Sequence, residues 1–148
     1  MKEFSMILPC VSCNTVLESG HLYTRALLES LVKDFKSSDD CCRLVSLGHN
    51  DSYNYIDYPS VCAKVDNLFM YKNTLVAEIT VLNTPRGRMV QTLVEEQEEY
   101  IKQNCGKNKY DFSLSPVGFC ESINIDGIEV LCKNKYRLDF FTFKVKKL

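Results

Sequence analysis

A chain of 148 residues, 45% hydrophobic and 25% charged, is long enough to bury a sizeable core and reads as one soluble domain spanning residues 1–148. Its formal net charge of −1 argues against a general nucleic-acid binder, which carries a clear basic excess. No apolar run reaches the roughly 18–20 residues that cross a bilayer, so no membrane helix is expected.

The predicted elements follow in chain order. Met1 to Pro9 has too short an apolar stretch for a signal peptide, with Glu3 interrupting its front, and reads as a first strand. Tyr23 to Lys36 places Leu27, Leu28, Leu31, Val32 and Phe35 at helical spacing behind Thr24, a suitable N-cap. Arg43–Leu47 is strand-like. Asn67–Tyr71 and Thr74–Leu82 flank Lys72-Asn73 as a hairpin. A second helix runs from about Pro85 to Ile101, with Thr84 capping and Pro85 at the first helical position. Met89, Val90, Leu93, Val94, Tyr100 and Ile101 form its apolar stripe, and Glu95, Glu96, Glu98 and Glu99 its solvated face.

Beyond the polar loop Gly106–Lys109, Tyr110 to Ser115 is a strand. Asp126-Gly127 joins Ser122–Ile125 to Ile128–Cys132 in a second hairpin, and Tyr136 to Val145 is a long closing strand. The basic residues Lys144, Lys146 and Lys147 mark a solvated end. The expected fold class is α+β: a compact, largely antiparallel β-barrel of about seven strands with two or more flanking helices.

Eight cysteines are many for this length. Cys10 and Cys13 form one C-x-x-C, but Cys41 and Cys42 have no spacer, and Cys62, Cys105, Cys120 and Cys132 stand alone. A structural zinc site uses two spaced pairs. Reduced, mostly buried thiols in a cytosolic protein, with no metal and no cofactor, is the better reading.

The chemistry rests on few residues. Of two histidines, His21 follows Gly20 and reads as an entry-loop residue. His49 lies in Leu47-Gly48-His49-Asn50-Asp51, a tight turn at a strand end, where an imidazole is well placed to act as a general base. Ser113 and Ser115 fall on one side of their strand, with Phe112 and Leu114 on the other. Gly118, soon after, can leave backbone N–H groups free for a developing oxyanion. Taken alone, the serine segment reads better as a polar strand edge before a proline turn.

The order of these pieces resembles the prohead proteases of tailed phages, which share a fold with herpesvirus assemblin. Asn14 to Leu28 is similar to the entry into that family's first helix, and Leu47–Asp51 to the segment carrying its catalytic histidine. Ile56–Val65 is similar to the stretch before its central hairpin. Ala77-Glu78-Ile79-Thr80-Val81-Leu82-Asn83-Thr84-Pro85-Arg86-Gly87-Arg88, the most specific piece, resembles its strand-to-helix junction. Ser113–Phe119 falls where the family has its serine, and Tyr136–Phe143 resembles its closing strand. The family's arginine after the serine is missing, Pro116 occupies the next position, and the histidine segment lacks the family's proline. These departures leave Ser113 and Ser115 both open and bear on activity more than on fold.

The resemblance implies a serine endopeptidase that cleaves scaffold and major capsid proteins within an assembling phage prohead in the host cytoplasm, with a homo-oligomer among the expected partners. Ser115 or Ser113 attacks, His49 takes the proton, Asp139 orients His49, and N–H groups near Val117 and Gly118 hold the oxyanion. The alternative is a non-catalytic relative with a structural or assembly role in the virion.

Overall fold

The computed structural model describes residues 1–17, 19–37, 40–48 and 56–148, with only the backbone at 40–41 and 132–135. Seven strands form one sheet: β1 (Phe4–Ser12), β2 (His21–Tyr23), β3 (Leu44–Leu47), β4 (Val61–Tyr71), β5 (Thr74–Val81), β6 (Tyr110–Ile125) and β7 (Ile128–Lys147). Their order is β1-β5-β4-β3-β7-β2, with β6 also on β7. Because β6 pairs along nearly all of β7, it occupies one edge of that strand, and β2 and β3 share the other. All pairings are antiparallel except those of β2 and β3 with β7. The sheet curls so that its first strand approaches β6, closing on a core that includes Leu28, Leu68, Leu75, Ile79 and Phe141.

Two helices flank the sheet, α1 (Arg25–Phe35) and α2 (Pro85–Gln103). Both expected caps are in place. Thr24 Oγ1 accepts from Leu27 N at 3.3 Å, and Thr84 Oγ1 accepts from Gly87 N at 2.9 Å while donating to Val61 O at 2.6 Å. Each cap satisfies an orphan helix donor. Thr84 also ties α2 to the start of β4. Gly87 is needed there, because a Cβ on it would lie 1.8 Å from Leu82 O.

Several expectations need correction. Tyr23 is strand, not helix: it pairs with Leu131 and buries beside Tyr136, ring centroids 6.1 Å apart. The α2 stripe is only partly covered: Val90 is buried, Leu93, Val94, Tyr100 and Ile101 are half-buried, and Met89 faces out. The long sequence Tyr110–Ile125 is one strand, not two pieces broken at Pro116. Pro116 is tolerated because β6 is an edge strand. Tyr110 turns both its N–H and C=O to the side-chain amide of Gln97, away from β7. Strand parity puts the missing N–H of Pro116 on that same unpaired side.

Candidate active site

Three hydroxyl residues stand in register across adjacent strands. Ser46 on β3 pairs with Thr142 on β7, and Thr142 pairs with Ser115 on β6, so all three share one face. Ser46 and Thr142, with Ser60, are the buried polar residues among those described. Each has a partner, as burial of a hydroxyl requires. Ser60 Oγ donates to Asp57 O at 2.5 Å. Its single proton is thereby committed, so the 2.6 Å contact with Ser46 has Ser46 Oγ donating. Thr142 Oγ1 donates to Ser115 O at 3.4 Å. The signal for Ser46 and Thr142 is present in the sequence, as a lone hydroxyl inside Leu44–Leu47 and another inside Phe140–Phe143, but only the register joins the two.

The same register locates the end of β3. Leu47 is level with Phe143, and Phe143 with Leu114, midway between Ser113 and Ser115. One strand separates β3 from β6, so their backbones run about 10 Å apart. Gly48 follows at φ +79°, and a Cβ there would lie 3.7 Å from the Arg86 guanidinium. His49 comes next and lies outside the described residues, as do Asn50 and Asp51. Register does not choose between the two serines, which are both half-buried. Among the described residues, no imidazole or carboxylate is bonded to either serine hydroxyl.

Ser115 lines two adjoining grooves at the seam between β1 and β6. One, of about 610 Å³, also takes in Cys10, Val11, Ser113, Lys144 and Lys146. The other, of about 480 Å³, takes in His21, Tyr23, Gly118, Cys120 and Tyr136. Its floor is fixed by Tyr136, whose hydroxyl donates to Pro116 O at 3.5 Å and whose acidity is suppressed by burial, then by Tyr23 beside it. His21 is thus more than an entry-loop residue. Its Nδ1 is 2.8 Å from Ser19 Oγ, and Glu129 stands next to it in register. Hydrogen bonds from Ser122 and Asn124, with the charge of His21, hold the Glu129 carboxyl below the usual carboxylate range.

Asp139 occupies a β-bulge. Val117 pairs with Phe140 and Gly118 with Leu138, leaving Asp139 as the extra residue on β7. Its carboxylate meets Arg137 Nε at 3.3 Å, three residues from Thr142 on the side away from Phe143 and the end of β3. Gly118 closes the other side of the bulge, where a Cβ would lie 2.0 Å from Arg137 O. Its first role is therefore steric. The Cys10 and Cys62 thiols are pushed up to about 12 by burial, which disfavours either as a nucleophile at neutral pH. Among the described residues, no three His, Cys, Asp or Glu side chains gather closely enough to hold a metal ion.

No protein-family model matches the chain, and no curated protein matches it in sequence. Among solved structures, the bacteriophage T4 capsid assembly protease gp21 is similar over 95% of this chain and 80% of its own, with a TM-score of 0.64 and 13% identity. At that identity the likeness is one of fold: this chain has the curled sheet and flanking helices of a phage capsid assembly protease.

Proposed function

We propose that the chain is a serine endopeptidase of an assembling phage head, cleaving scaffold and major capsid proteins inside the prohead in the host cytoplasm. One observation carries this reading: the strand order β3-β7-β6 sets the end of β3, which leads into His49, one strand from Ser113 and Ser115. The fold likeness to a capsid assembly protease supports it independently. In the proposed reaction, Ser115 or Ser113 Oγ attacks the peptide carbonyl as His49 takes its proton. The resulting imidazolium returns the proton to the leaving amine, and water then releases the acyl group by the same route. N–H groups near Val117 and Gly118 would hold the oxyanion. Asp139, level with the start of β3, would orient His49 only if the chain after Gly48 turns back along that strand.

Co-expression with scaffold and major capsid proteins tests the proposal. Cleavage is expected with the wild type and is lost in His49→Ala and in one of Ser113→Ala or Ser115→Ala. A folded wild type that leaves both substrates intact would sink it. A second reading, a non-catalytic assembly protein with the same fold, is favoured by the Arg137–Asp139 pair, which engages the carboxylate proposed to orient the base.

A further inference from the structure

Two exposed apolar surfaces play no part in the chemistry proposed at Ser115. One is the free end of the β6–β7 hairpin. Ile123 pairs there with Val130 and Ile125 with Ile128, so four branched side chains share one face. Ile123 is 38% and Ile125 53% exposed. The opposite face is polar, with Ser122 Oγ and Asn124 Nδ2 donating to Glu129 at 2.5 and 2.8 Å. The second surface is the outside of β1, β5 and β4. Ile7, Pro9, Phe69, Tyr71 and Val76 line a groove of about 440 Å³, with Ile7 67% and Tyr71 61% exposed. Contiguous apolar surface of this kind marks an interaction site.

Charge indicates what fits the groove. Lys72 stands at its turn end, its ammonium 5.5 Å from the Tyr71 ring centroid and in no ion pair with a described carboxylate. Glu78, level with Ile7, marks the far end. The groove is therefore apolar along its floor, cationic at one end and anionic at the other. The hairpin end is its counterpart. From Glu121 to Leu131 it carries Glu121, Asp126 and Glu129 and no Lys or Arg, with Asp126 at the tip beside the isoleucine face.

We propose that the isoleucine face of one copy's hairpin docks in the β1-β5-β4 groove of a second copy, with Asp126 toward Lys72 and away from Glu78. The contact joins two different surfaces. Each bound pair keeps one free hairpin and one free groove, so association continues past two unless the geometry closes a ring.

Sedimentation of the full chain over a range of concentrations tests this. The wild-type average mass should rise with concentration, while Ile125→Lys and Ile7→Asp, each monitored for folding by circular dichroism, should stay monomeric. An equimolar mixture of the two variants should form a one-to-one complex that grows no further, because each supplies the surface the other lacks. Asp126→Lys and Lys72→Glu should each weaken association, and together restore it. Should either variant misfold, Ile123→Thr and Val76→Thr repeat the pairing. The proposal is overturned by a wild type that stays monomeric throughout, by single variants that associate like the wild type, or by a mixture that remains monomeric.

Discussion

The two faces of the strands β3, β7 and β6 differ by one residue of offset and by almost everything else. On one face Val45, Phe141 and Pro116 form a row, and Leu47, Phe143 and Leu114 the next; these feed the core, where Phe141 meets Phe35 edge-on at 6.4 Å. Between those rows, on the other face, lie Ser46, Thr142 and Ser115. Period-two alternation is enough to put the apolar core residues and the hydroxyl row on the same strands without sharing a side chain. Removing a residue from the first face should therefore cost stability, and removing the half-buried Ser115 from the second should cost activity if it is the nucleophile.

Phe141→Ala is the largest test of that division. Truncating a fully buried phenylalanine is expected to lose about 3–5 kcal/mol, measured by urea unfolding. A loss near zero would mean the core does not depend on β7. Gly118→Ala should cost less, about 1–3 kcal/mol, because the β7 bulge must shift to relieve a Cβ 2.0 Å from Arg137 O. An unchanged unfolding midpoint would show that the bulge adapts freely. Thr84→Ala, removing the cap that also bonds Val61 O, should lose about 1 kcal/mol. Ser115→Ala should move stability by no more than about 0.5 kcal/mol while removing cleavage if it is the nucleophile. A large stability loss there would place Ser115 with the core instead.

The thiols sharpen the same contrast kinetically. Burial raises Cys10 and Cys62 from 9.0 to about 12, so the protonated forms are favoured on folding. That contribution to stability is complete below about pH 9 and is lost as pH climbs toward about 12. At mildly alkaline pH, exposed Cys105 should be alkylated quickly, half-buried Cys10 more slowly, and buried Cys62 only on unfolding. Equal rates for Cys105 and Cys62, read by peptide mass mapping, would contradict the burial of Cys62.

Much of the scaffold was legible because local signals agreed with the tertiary outcome. Lys72-Asn73 between alternating runs announced the β4–β5 hairpin, and Thr84-Pro85 announced α2. Pro116 misled because a proline in a strand is informative only once the unpaired edge is known, and that edge is set by Gln97, on a helix 19 positions earlier in the chain. The short strand β2 was hidden because its three residues make only a single local bridge, Val16 with Leu22, and their ladder partner is distant β7. The lone hydroxyls inside Leu44–Leu47 and Phe140–Phe143 were visible, but not their alignment: Ser46, Thr142 and Ser115 become neighbours only through register. His49 and Asp139 were candidates from the sequence; His49 lies outside the described residues, and Asp139 lies in a bulge beside Arg137, which no periodicity announces.

The central claim is that a serine on β6 is activated by the histidine following β3. A fluorophosphonate probe, mapped by mass spectrometry on the folded chain, tests it most directly. The expected result is a single adduct on Ser115 or Ser113 that disappears in His49→Ala while the thermal transition stays in place. No adduct on the wild type, or one that His49→Ala leaves unchanged, would contradict it.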